Sequence, residues 1–120
     1  MKFSAGYGVS VGTLIILQWI LFIATGSVPE FQTTPWAIGF HMMAELFLAF
    51  ALLISGIATL RAKPWGEKAL LLALGMAIYS EMNSPGYFAQ LGQWALILMF
   101  ALLLFGAMLA AMMILKSEQT

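Results

Sequence analysis

Residues 35–63 read PWAIGFHMMAELFLAFALLISGIATLRAK, an apolar helix with a marked start and a marked stop. Thr34 is placed to cap it, Pro35 occupies the first turn where a missing N–H costs nothing, and Arg61-Ala62-Lys63 ends it just before Pro64 opens the next helix. A hydrocarbon core of about 30 Å takes roughly 20 helical residues, so this stretch is long enough to cross a membrane once. The tight turn at residues 61–64 folds the following helix back as an antiparallel hairpin. Upstream, a first helix spans about residues 7–25 and ends at Gly26, with Pro29 and Thr33-Thr34-Pro35 breaking the loop from Ser27 to Thr34. Downstream, a third helix at about 64–82 stops at Asn83-Ser84-Pro85-Gly86, and a fourth at about 87–115 leads into a polar tail from Lys116 to Thr120. The expected fold is all-α: one integral membrane domain over residues 1–120, a four-transmembrane-helix bundle in antiparallel up-down order.

Composition agrees. The 120 residues are 62% hydrophobic and 8% charged, with a mean hydropathy of +0.97, outside the range of soluble chains. The apolar runs are continuous rather than alternating, which argues against a transmembrane barrel. A net charge of zero without a polybasic run offers no nucleic-acid surface. The lack of cysteine excludes disulfides, thiolate catalysis and thiolate metal sites. Lys2 followed by the apolar run from Val11 to Ala24 and by Thr25-Gly26-Ser27 is similar to a signal peptide, but is read as the first membrane helix.

With four crossings, all five basic residues (Lys2, Arg61, Lys63, Lys68 and Lys116) fall on one side, and His41 with three of the five glutamates falls toward the other. The positive-inside rule then makes both termini cytoplasmic; the expected location is the plasma (inner) membrane of a prokaryote. Trp36, Tyr87 and Trp94 fit an outer aromatic belt, Tyr7 and Trp65 an inner one. Small residues at helical spacing (Ala51, Ser55 and Thr59; Ala69, Ala73 and Ala77; Gly106 and Ala110) suit close helix packing in lipid.

Against this apolar background, four polar residues stand out as a candidate ligand-binding or proton-exchange site: Gln18, His41, Glu45 and Glu81. Counted from Thr34 at about 1.5 Å per residue, His41 lies about 10 Å deep and Glu45 about 16 Å deep, near the midplane. They are at i and i+4, on one helical face. By the same rise Gln18 lies about 12 Å deep, and Glu81 about 5 Å, close to the outer interface. Tyr79, Asn83 and Gln90 form an expected supporting ring. A carboxylate at the depth of Glu45 costs about 2.5–3.5 kcal/mol, so it is paired or protonated. A His/Glu pair suits proton exchange near neutral pH, as in proton-coupled transport or a quinol pocket. One His and two Glu match a metal site in ligand type without supplying a fourth ligand. Met42, Met43 and Met82 offer sulfur to copper, but adjacent helical residues point about 100° apart. A lone His41 is a poor haem ligand set. No hydrolase or nucleotide motif is present, so no catalytic residue is expected and no cofactor is required.

Glu45-Leu46, then Ala51-Leu52-Leu53-Ile54-Ser55-Gly56 and Leu60-Arg61 before the third helix, resemble the DoxX-like family of small four-helix membrane proteins. The resemblance covers about half the chain. It implies a four-helix bundle, and one branch of the family is the small subunit of a thiosulfate:quinone oxidoreductase, which brings quinone forward as a ligand. The expected function is therefore a non-enzymatic membrane protein with an outward-facing polar site for a small ligand or quinone, acting as an accessory subunit of a membrane oxidoreductase. The alternatives are a proton- or cation-coupled transporter working as a homo-oligomer and a purely structural assembly subunit. The partners are lipid and either further copies or other membrane subunits.

Overall fold

The structure, a computed structural model, describes residues 2–118, the side chains of Tyr87 and Glu118 excepted; Gln119 and Thr120 of the expected polar tail, and the Tyr87 ring of the outer belt, lie outside the described residues. The described residues are helical throughout and contain no strand. Four long helices carry the fold: α1 (Lys2–Ala24), α3 (Pro35–Leu60), α4 (Gly66–Asn83) and α6 (Trp94–Glu118). Two short ones, α2 (Glu30–Thr33) and α5 (Pro85–Gln90), fill the links at the end opposite the termini.

The structure departs from the sequence reading in several places. α1 starts at Lys2 rather than residue 7, because nothing between Lys2 and Tyr7 breaks a helix. α4 starts at Gly66, since Pro64 and Trp65 are still part of the turn. The loop before α3 winds into α2. Thr34 precedes α3 with Pro35 in its first turn as expected, yet its side chain makes no capping bond; only its carbonyl accepts, from Ile38 N–H at 3.1 Å. The expected fourth helix is interrupted at Leu91-Gly92-Gln93. There Gly92 takes a φ of 71° while Gln93 N–H reaches back to Phe88 O at 2.9 Å, a helix-ending motif that glycine permits. The same closure ends α1 at Gly26 (φ 65°), and α3 at Ala62 (φ 56°), whose methyl group makes this conformation costly.

Contacts join α1 to α3, α3 to α4, α4 to α6 and α6 to α1, closing a ring of four helices. Neighbours run antiparallel. Gly8 meets Leu52 while Gly12 meets Ala49, and Thr59 meets Gly66 while Glu45 meets Ser80. At the end that holds the termini the packing is tight. A Cβ on Gly12 would stand 2.7 Å from Ala49 O, one on Gly56 would stand 3.0 Å from Ala5 O, and one on Gly66 would stand 2.7 Å from Thr59 N. These are backbone-to-backbone approaches of the kind small residues allow. Leu52, Leu70, Leu74, Ala77, Ala107, Ala110 and Ile114 fill the centre, and the Ser4 hydroxyl crosses from α1 to donate to Ala110 O at 2.8 Å.

The outer surface is apolar along most of the bundle, with Leu17, Ile20, Phe47, Ile54, Leu72, Leu98 and Leu102 all exposed. Such a surface is at home in lipid and not in water. α1, α3 and α6 as far as Ser117 are each long and apolar enough to cross a membrane. α4 is shorter, 18 residues, and holds Glu67, Lys68 and Glu81. Trp36, Trp65 and Trp94 are exposed near the two ends, whereas Tyr7, expected in the inner belt, turns into the bundle. Lys2, Lys63 and Lys68 gather with Glu67 around a depression of about 480 Å³ at the end that holds the termini.

Candidate functional site

At the other end the helices splay. Between α1, α3, α4 and α6, under the α2 and α5 links, lies a cavity of about 630 Å³, within the usual range for sites that take a drug-sized molecule. All four residues singled out in the sequence line it: Gln18 from α1, His41 and Glu45 from α3, and Glu81 from α4. Most of the remaining wall is apolar, with Trp19, Phe22, Phe88 and Phe100 contributing rings. Trp19 meets His41 edge-on at 6.1 Å between centroids, and Phe88 stacks on Phe100 at 5.6 Å.

The expected pairing of His41 with Glu45 is loose. Nε2 stands 3.7 Å from Oε1, too far for a hydrogen bond. Glu45 is instead held from the neighbouring helix: the Ser80 hydroxyl donates to Oε1 at 2.8 Å and the Ser84 hydroxyl approaches the same oxygen at 3.4 Å. The hairpin turn sets this register, and Ser80 and Ser84, at i and i+4, share one face of α4 and its extension. His41 is left partly open, its side chain 43% exposed against 12% for Glu45.

Glu81 lies near the end of α4, yet it is the most enclosed ionisable group of the site, at 5% exposure. The reason is Tyr7. Its ring lies against Gly106, where a Cβ would come within 2.8 Å of Tyr7 Cε2. From there the hydroxyl reaches both Glu81 Oε1 and Leu103 O, each at 2.7 Å. A phenol has one proton to give, so the Tyr7 hydroxyl is shared between these two acceptors. Glu81 Oε2 is buried and has no partner.

Among the supporting residues, Asn83 lines the cavity, while Tyr79 turns outward at 73% exposure and Gln90 lies exposed on α5. Sequence reasoning missed Tyr7, Ser80 and Ser84. The two serines flank Glu81 in sequence and sit one turn apart, a signal that was available; Tyr7 offered none, because a tyrosine near a helix start suits an interfacial belt equally well. Among the described residues no three His, Asp or Glu side chains come together as a metal set.

A tight dry half thus joins a hollow half whose wall carries two carboxyl groups from adjacent helices. No curated protein and no solved structure matches the chain. A family match covers residues 1–120, its whole length, and by it the chain belongs to the family described as Domain of unknown function (DUF8058).

Proposed function

We propose that the chain is a four-span protein of a prokaryotic plasma membrane that binds a small lipophilic ligand in the cavity at the end away from its termini. α4 packs between α3 and α6 and would cross with them, its Glu67 and Lys68 at the inner interface and Glu81 turned inside. The end bearing Lys2, Lys63 and Lys68 would face the cytoplasm, which opens the cavity to the outer leaflet. The observation that carries the reading is the placement of Glu45 and Glu81 on the wall of one 630 Å³ space. Two carboxyl groups that served only to hold helices together would leave no room between them, and intramembrane ionisable groups usually mark sites.

Quinone is one ligand to try, given the resemblance of α3 and α4 to DoxX-like proteins; the chain would then serve as an accessory subunit that presents the ligand to a redox partner. Transport of protons or cations by a homo-oligomer is the second reading. It is favoured by His41, which stands half open 3.7 Å from Glu45. Trp19 is the only tryptophan on the cavity wall and so reports occupancy. Titration of purified protein in detergent with ubiquinone-1 or another lipophilic probe should change fluorescence saturably, and Trp19→Phe should abolish that change. A linear response identical in both proteins for every probe would overturn the cavity reading. Proteoliposomes in which Glu45→Gln abolishes proton flux would favour transport.

A further inference from the structure

We infer that the ligand is an amphipathic organic cation, a lipophilic ammonium or phosphonium, held with its charge between Glu45 and Glu81 and its apolar part against the aromatic wall. This rests on the cavity being a ligand site and adds which chemistry fills it.

The cavity wall is one-sided in charge. It carries the carboxyl groups of Glu30, Glu45 and Glu81, and no lysine or arginine. His41 is the only histidine in the chain, and all five lysines and arginines belong to the opposite end or the hairpin turn. A carboxylate, phosphate or sulfonate would meet Glu45 and Glu81 there and no lysine or arginine. A quinone would use donors such as the amides of Gln18 and Asn83 and the Trp19 N–H, and would leave both carboxyl groups unanswered.

The two carboxyl groups are what a cation answers. Glu81 Oε2 is buried without a donor, an arrangement that costs free energy until something supplies a proton or a positive charge. Glu45 lines the same cavity, with Oε1 taking the Ser80 hydroxyl and standing 3.7 Å from His41 Nε2. In an environment of low dielectric, a cation near either group is attracted far more strongly than in water. Trp19, Phe22, Phe88 and Phe100 add ring faces and edges, and tryptophan is the best partner for a cation–π contact. With about 630 Å³ of space, the whole of a hydrophobic cation can be enclosed rather than its charged head alone.

Three probes of matched lipophilicity separate the possibilities: tetraphenylphosphonium, tetraphenylborate of nearly the same shape and opposite charge, and neutral ubiquinone-1. Purified full-length protein in a non-ionic detergent is titrated with each by calorimetry and by Trp19 fluorescence. Tetraphenylphosphonium is expected to bind saturably, roughly tenfold or more tighter than tetraphenylborate, and Glu45→Gln should weaken it by at least about that factor. Glu81→Gln should do the same if it folds. Trp19→Leu, which leaves both carboxyl groups in place, gives a second variant, expected to weaken the phosphonium severalfold. Equal binding of the borate or tighter binding of the quinone would overturn the choice of a cation and leave the cavity reading standing. Failure of all three probes to bind would overturn both.

Discussion

The two halves of the bundle are made from the same four helices and behave differently. Toward the termini, Gly8, Gly12, Gly56 and Gly66 bring backbones into contact, and the buried polar side chains among the described residues, Ser4 and Ser55, donate their hydroxyls to backbone carbonyls. Toward the α2 and α5 links, Gly39 and Gly86 have open space where a Cβ would stand, so neither marks a close helix contact. What separates them is where glycine falls along each helix. In lipid, where apolar side chains gain little by leaving the solvent, helices close up only where small residues let them, and the space left elsewhere becomes a site.

Substitutions should break this contrast in order of how hard they press on it. Gly12→Leu forces a side chain toward Ala49 O, against which even a Cβ would stand at 2.7 Å. Overpacking of this kind costs roughly 1–3 kcal/mol, seen as a marked fall in melting temperature in detergent. Leu96→Phe enlarges a side chain on the cavity wall instead, and should change stability by less than about 0.5 kcal/mol. Equal losses for the two would erase the distinction between the halves.

Tyr7→Phe removes the one hydroxyl that ties α1 to α4 and α6, and leaves Glu81 and Leu103 O short of a donor. About 1–3 kcal/mol of stability should go. In a double-mutant cycle with Glu81→Gln the losses should not add, because the two side chains share a hydrogen bond. Ser80→Ala gives up the 2.8 Å bond to Glu45, at a cost of about 1 kcal/mol, whereas Ser84→Ala, at 3.4 Å, should cost clearly less. The smallest effect has the opposite sign: Ala62→Gly relieves a φ of 56° and should stabilise the hairpin by about 0.5 kcal/mol.

The helix order, the hairpin at residues 61–64 and the four cavity residues were legible in the sequence because each rests on a local rule: a proline at a helix start, a basic turn, a charge out of place in an apolar run. Local rules also explain the errors. Gly92 looked like one small residue inside a long apolar stretch, and only its left-handed backbone marks the break between α5 and α6. A count along its own helix sets the depth of Glu81 but not its enclosure; what covers it is Tyr7, which is 74 positions away and reaches it only because Gly106 leaves room for the ring. His41 and Glu45 share a face as their spacing requires, yet the bond goes to Ser80, since the register of a neighbouring helix is not written in either residue. The Gly8 and Gly12 pair was missed, although its spacing is of the same kind as the small-residue sets picked out on the other helices.

Because the chain has no cysteine, single cysteines can be placed in each half and read without background. Gln18→Cys lies on the cavity wall and Ser55→Cys, at a site 2% exposed, lies in the packed half. In nanodiscs, where both faces meet water, a polar membrane-impermeant maleimide should label Gln18→Cys readily and leave Ser55→Cys untouched. Tetraphenylphosphonium should protect the former. Labelling of both at the same rate, or of neither, would contradict a bundle that is hollow at one end and closed at the other.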